Sequence, residues 1–184
     1  GHLYIYNGSK SIDGKVLEAV RLWEYLREGN KISKDQVLLV YKHMMLNSQV
    51  KYGFKTMPDG EEGSFYSLQE LQKNHGLLHN HPWDIGLGKI NQKDKTYIKA
   101  CLRKGESLTE TPRLRISTIH SAKGAQATNV MLLTDTMKRP YSMWRKIHTY
   151  EEDETRVFYV GLTRATHNIH LIHPMYSQGY ALPY

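Results

Sequence analysis

An α/β layer fold on a mainly parallel sheet is predicted by three observations. Short apolar runs recur along the chain as candidate strands, namely Leu3–Tyr6, Val37–Tyr41, Arg113–Ser117, Val130–Thr134 and Ile169–Ile172. Stretches at about 13–28 and 150–165 carry helical spacing and alternate with those runs. The run Val37-Leu38-Leu39-Val40-Tyr41 is apolar throughout, as expected of a strand covered on both faces.

In chain order, Leu3–Tyr6 reads as a short strand ended by the turn-prone Asn7-Gly8-Ser9. Val16, Leu17, Val20, Trp23 and Leu26 share one side of the helix that follows, which Gly29-Asn30 stops. The strand 37–41 is expected next, with a helix over 42–52. Between about 53 and 112 glycine, asparagine and histidine dominate, so this stretch reads as a connector or a small helical insertion, with helical patches at 67–74 and 91–104. The remaining strands and the helix at 150–165 restore regularity. We read residues 1–184 as one domain with that insertion.

Composition narrows the function. Lys and Arg exceed Asp and Glu by 25 − 18 = 7, which favours a polyanionic partner. The single cysteine, Cys101, excludes an internal disulfide and a multi-cysteine zinc site, and fits a reducing cytosol. His75, His79 and His81 lie close together, but no carboxylate or cysteine completes a metal-ligand pattern, so no metal site is expected. No apolar stretch is long enough to span a membrane. A cytoplasmic protein is expected.

Two segments carry the chemistry. In Ser117-Thr118-Ile119-His120-Ser121-Ala122-Lys123-Gly124 a strand runs into a polar, glycine-containing loop, the place where open α/β sheets bind ligands. Thr118, His120 and Ser121 offer hydrogen-bonding groups, Lys123 a charge, and Gly124 an open backbone. A plain strand-to-helix turn is the competing reading. In the second segment, Thr149 and Glu152 have the form of a capping box, and Glu151–Glu154 complement the positive end of a helix. Arg164 falls at the end of that helix, where a cap or a surface ion pair would account for it structurally.

In order and separation, Ser117–Gly124 and Glu154–Ala165 resemble motifs V and VI of the UvrD/Rep group of superfamily 1 helicases, phage-type members in particular. The resemblance implies a RecA-like three-layer fold and the second, C-terminal motor domain of an ATP-dependent DNA helicase or translocase moving 3′ to 5′. It implies that Thr118, His120, Ser121 and Lys123 meet single-stranded DNA and that Gly124 and Gln126 lie by the nucleotide. Arg164 would be the catalytic arginine finger at the γ-phosphate, where such a group contributes roughly 10³–10⁵ in turnover. Gln36–His43 resembles motif IV more weakly, with Lys42 near the position of a phosphate-sensing arginine.

The chain departs from the family pattern in places. Gly124-Ala125-Gln126-Ala127 stands where the family reads Gly-Leu-Glu-Phe, so a charged ribose contact is replaced by an uncharged one. Thr155 stands where relatives often carry the first of two arginines, leaving Arg156. The stretch from Lys42 to Arg113 is too short for the large accessory domain of typical UvrD proteins.

No G-x-x-x-x-G-K-[ST] phosphate loop occurs, and Gly86-Leu87-Gly88-Lys89-Ile90 is too short to be one. The chain is therefore expected to be a fragment whose partner is an N-terminal RecA-like domain, with ATP and Mg²⁺ bound only in the complete protein. Alone it is expected to be inactive as an ATPase. The rival readings are a non-catalytic nucleic-acid-binding or regulatory module of the same fold, and a motor fused to a nuclease or repair protein. Trp83, Trp144 and the segment Tyr141–Lys146 are weaker candidates for contact with bases.

Overall fold

A two-residue turn starts the fold. Asn7 and Gly8 both adopt positive φ, +44° and +86°, which suits a tight hairpin between right-twisted strands. It joins β1 (Tyr4–Tyr6) to β2 (Ser9–Lys10) as an antiparallel pair, and β1 pairs in parallel with β5 (Leu114–Ile116) on its other edge. The computed structural model describes residues 2–56, 63–135 and 147–173, without the side chains of 147–154. The chain divides into two compact units, Gly1–Ile116 and Ser117–Tyr184.

In the first unit, α1 (Gly14–Arg27) begins where the Asp13 carboxylate accepts the Lys15 N–H at 2.9 Å. It ends where Gly29 takes φ +96° and the Asn30 N–H donates back to the Tyr25 carbonyl at 3.3 Å. Leu17, Val20, Trp23 and Leu26 are buried along one stripe, with Ala19 and Leu22 widening it and Val16 at its margin. The glycine stop and the stripe expected from the sequence are both present.

The strand expected at 37–41 is not formed. Those residues lie in α2 (Lys34–Lys42), preceded by the short β3 (Ile32–Ser33). A capping box decides the matter: the Gln36 N–H donates to Ser33 Oγ, and the Ser33 N–H donates to Gln36 Oε1 at 2.9 Å. Val37, Val40, Tyr41 and Met44 are the buried positions, which is helical and not alternating spacing. Lys42 therefore sits exposed in the last turn of a helix, not at a strand end.

The helix expected at 42–52 is also absent. Asn47 adopts φ +63°, and Gln49 takes over the backbone bonding. Its side-chain oxygen accepts N–H groups from Met45 (2.7 Å) and Gly88 (3.0 Å), while its amide donates to the Ile85 carbonyl (2.6 Å). Local side-chain bonds of this kind compete directly with helix.

Residues 53–112 supply α3 (Leu68–Asn74), the single-turn α4 (Trp83–Gly86) and α5 (Gln92–Leu102), with β4 (Phe65–Tyr66) pairing antiparallel to β3. They also supply core: Tyr66, Leu71, Leu77, Trp83, Leu87, Ile90, Ile98 and Cys101 are buried with the residues of α1 and α2. Trp83 is thus a packing residue, whereas Trp144 and Tyr141–Lys146 lie outside the described residues. Gly86 and Gly88 permit close approach: a Cβ on Gly86 would stand 2.9 Å from His79, and one on Gly88 2.7 Å from Met45.

His79 is held in this core against α1. Its ring centroid lies 5.3 Å from that of Trp23 and 5.5 Å from that of His81, on which it stacks. Nδ1 accepts the His81 N–H at 3.2 Å, and Nε2 is buried with no hydrogen-bond partner among the described residues. His75 instead meets the edge of Tyr66. Burial, and then the neighbouring His81, hold the His79 pKa below the usual imidazole value.

The neutral ring belongs to the folded state, so its contribution is complete above the unfolded pKa of about 6.5 and is lost as pH falls toward the lower folded value. Melting temperature is expected to drop between about pH 7.5 and about pH 5, with a shallower drop in His79→Gln. Parallel pH profiles for the two proteins would assign the acid limit to other groups.

In the second unit, β6 (Ala127–Leu133) and β7 (Ala165–Ile172) pair in parallel, with a register irregularity between Ala127 and Asn129. The parallel partner strands require a crossover, which α6 (Ile147–Leu162) provides. Thr149 lies within α6 and not at the N-cap expected from the sequence. Phe158 and Gly161 on α6 are buried, as is Leu132 on β6. With helices on parallel strand pairs, the α/β class expected from the sequence is the class observed, the strands among the described residues falling into three small sheets.

Candidate nucleic-acid and nucleotide site

The loop from Ser117 to Gln126 is built by its own polar side chains. Thr118 Oγ1 accepts the Ser121 N–H at 3.2 Å and shares a hydroxyl hydrogen bond with Ser121 Oγ at 2.9 Å. The backbone winds into one 3₁₀ turn over His120–Ala122, closed by the Ala122 N–H on the Thr118 and Ile119 carbonyls, both at 3.1 Å. Gly124 then reverses the chain at φ +81°, with open space where a Cβ would stand. His120, Ser121, Lys123 and Gln126 are exposed on this turn, and Thr118 is exposed at its start. Thr118 and Ser121, read as DNA contacts in the sequence, therefore also hold the turn together.

Arg164 is brought to that loop by α6 and the two residues after it. Its Nε donates to the Val160 carbonyl at 2.9 Å, Nη1 to the Ala125 carbonyl at 3.2 Å, and Nη2 to Thr163 Oγ1 at 3.0 Å. The first of these satisfies a carbonyl in the last helical turn, at the negative end of the helix dipole. The second ties the helix end to the loop residue between Gly124 and Gln126. Its neighbour Thr163, whose hydroxyl donates toward the Tyr159 and Val160 carbonyls at 3.0 and 3.1 Å, orients the guanidinium. The planar fork is what allows one side chain to reach these three partners.

The structure thus unites Thr118, His120, Ser121, Lys123, Gly124, Gln126 and Arg164 in the second unit, whereas Lys42 belongs to the first. Three contributors escaped the sequence reading. Thr163 carries the only available signal, a hydroxyl beside the key arginine. Gly161 and its neighbour Ile119 matter through packing. A Cβ on Gly161 would stand 3.0 and 3.3 Å from the Leu132 methyls and 3.4 Å from Ile119 Cδ1, so the missing side chain seats α6 against β6 and the loop.

Substitutions at Gly161 should separate crowding from helix propensity. Gly161→Ala is expected to be close to neutral, since about 1 kcal/mol of helix propensity offsets contacts with movable methyls. Gly161→Val should cost about 1–3 kcal/mol in denaturant unfolding through overpacking. Equal effects of the two would show that packing at this position is loose.

A strand-to-turn segment carrying exposed cationic and hydroxyl groups is tied by an arginine to the end of α6 in an α/β unit, an arrangement whose chemistry could receive a phosphate-bearing partner. Residues 89–174 match the model of the UvrD-like helicase C-terminal domain, and this segment is a domain of that family. The match covers the whole loop and Arg164, and it extends back to Lys89 in the first unit. A helicase domain implies interaction with nucleic acid. No curated protein and no solved structure matches the chain. Among the described residues, no helix is long and apolar enough to cross a membrane.

Proposed function

We propose that this chain is the second motor domain of an ATP-dependent, superfamily 1 DNA translocase. ATP with Mg²⁺ would bind at a cleft shared with an N-terminal RecA-like domain, and the motor would move 3′ to 5′ on single-stranded DNA. In this reading His120, Lys123, Thr118 and Ser121 contact the strand, Gly124 and Gln126 adjoin the nucleotide, and Arg164 reaches the γ-phosphate. Lys42, exposed on α2 of the first unit, is read as a phosphate contact from the motif IV resemblance alone.

The observation that carries the reading is the hydrogen bond from Arg164 to the Ala125 carbonyl. It gives the candidate nucleotide-sensing side chain a direct mechanical link to the loop proposed to hold DNA. When a phosphate competes for the guanidinium, that link is exchanged, and the loop is free to shift.

DNA binding by the 184-residue protein is expected to be weak and to decline steeply with salt, because single-strand contacts release roughly 0.7 counterions for each phosphate neutralised. His120→Ala and Lys123→Ala should each weaken it, Lys123→Ala with a salt slope smaller by about 0.7. His79→Gln should leave it unchanged. Tight binding insensitive to salt, or equal affinity for all four proteins, would remove the loop from the interface.

A non-catalytic nucleic-acid-binding module of the same fold is the second reading. Two observations favour it: the three bonds of Arg164 end on its own unit, and Gln126 lacks the charge of the family's glutamate. Nucleotide turnover in the complete motor discriminates between them.

A further inference from the structure

We propose that Lys55 and Lys89, in the first unit, form an additional subsite for the phosphodiester backbone of single-stranded nucleic acid. This goes beyond the loop at 117–126 and does not depend on it. The subsite is built on the corner that follows α2. Gln49 locks the segment 45–50 to the segment 85–88 through its bonds to Met45, Ile85 and Gly88. The Lys89 N–H donates to the His43 carbonyl at 2.9 Å, and Lys55 Nζ donates to the next carbonyl, that of Met44, at 2.7 Å.

The consequence is two lysines anchored on adjacent carbonyls of one braced surface, Lys89 through its backbone and Lys55 through its ammonium. Like charges repel, and the Lys55 pKa falls to about 8, through partial burial first and then through Lys89. Lys89 is exposed and Lys55 half-buried, so a ligand can reach both. Neither lysine takes part in the ion pairs His2–Glu106, Arg27–Glu24 and Lys99–Asp84. A group bearing two or more anionic oxygens would relieve the repulsion by bridging the ammoniums.

A phosphodiester backbone suits the pair better than a free nucleotide does. Lysine ammoniums act as point charges that follow a flexible chain, and the excess of seven positive charges already attracts a polyanion. Binding would restore the proton that Lys55 loses above about pH 8, so affinity and proton uptake are linked.

The test uses the 184-residue protein and a labelled oligothymidylate across a salt series. Lys55→Gln/Lys89→Gln should reduce the slope of log affinity against log salt by about 1.4, two single-strand contacts' worth. Lys89→Gln alone should reduce it by about 0.7 while keeping or raising the melting temperature, since a like-charge pair is removed. Wild-type affinity should fall more between about pH 7.5 and about pH 9.5 than that of Lys55→Gln.

An unchanged salt slope in a folded double variant would overturn the proposal. So would inorganic pyrophosphate competing for the lysines while the double substitution leaves oligothymidylate binding intact, which would mark a free-phosphate site. The acidic residues Asp59, Glu61 and Glu62 lie outside the described residues, so the lysine substitutions are repeated with D59N/E61Q/E62Q. The same loss is expected, and a loss seen only in that background would mean an intramolecular pair and overturn the proposal. Parallel measurement of Lys123→Ala separates failure here from failure of the loop.

Discussion

Arg164→Ala in the complete motor is expected to lower ATP turnover by roughly 10³–10⁵ while changing nucleotide affinity much less. The asymmetry follows from what a finger does: its charge matters most as negative charge redistributes over the transferring phosphoryl group. Arg164→Lys should recover little, since an ammonium cannot reproduce a planar fork. The bonds of Arg164 to Val160, Ala125 and Thr163 add a second expectation. Loss of the helix-end cap and the loop tie should destabilise the second unit by about 1–3 kcal/mol.

The two effects separate when turnover is normalised to the folded fraction on the same preparations. A purely structural arginine would give a lower melting temperature with near-normal turnover per folded molecule. That outcome would end the finger reading and leave the nucleic-acid-binding module standing.

Trp23→Ala should be the most damaging substitution in the first unit, costing about 3–5 kcal/mol in equilibrium unfolding. Trp23 is fully buried in α1, packs against the His79 ring, and donates from Nε1 to the His81 carbonyl at 2.9 Å. Truncation would leave a large cavity and strand that carbonyl together. Trp23→Phe isolates the second effect and should cost about 1–3 kcal/mol. The neighbouring Glu24 carboxylate accepts the Trp83 N–H at 2.7 Å and Arg27 donates to Asn80 at 3.2 Å, so the segment 79–86 docks on this one face of α1. Susceptibility to proteolysis within 79–86 should therefore rise in Trp23→Ala. Unchanged cleavage there would show that α1 does not hold the segment.

Where local chemistry dominates, the chain could be read directly. The apolar stripe of α1 and the Gly29 stop are local, and so are the Asn7-Gly8 turn and the strands expected at 130–134 and 169–172, which in the structure begin earlier, at Ala127 and Ala165. The polar turn at 117–124 and the position of Arg164 at a helix end were legible for the same reason. The misreading at 37–41 arose because five consecutive apolar residues do not distinguish a buried strand from a helix. The deciding signal was four residues upstream, in the box of Ser33 and Gln36.

Sequence alone determined the α/β class, the two motif segments and the residue types available for charge and hydrogen bonding. Only tertiary structure decided that residues 53–112 help build a core, because their apolar groups are scattered and meet only when α1 and α2 are present. Tertiary structure likewise decided what Gly161 is for and which carbonyls Arg164 binds. Ala125 and Arg164 are far apart in sequence, and no periodicity encodes a contact made through the parallel pairing of β6 with β7. Spacing along the chain records the preferences of neighbours. Contacts across the fold depend on how helices and strands pack, and packing is a property of all of them at once.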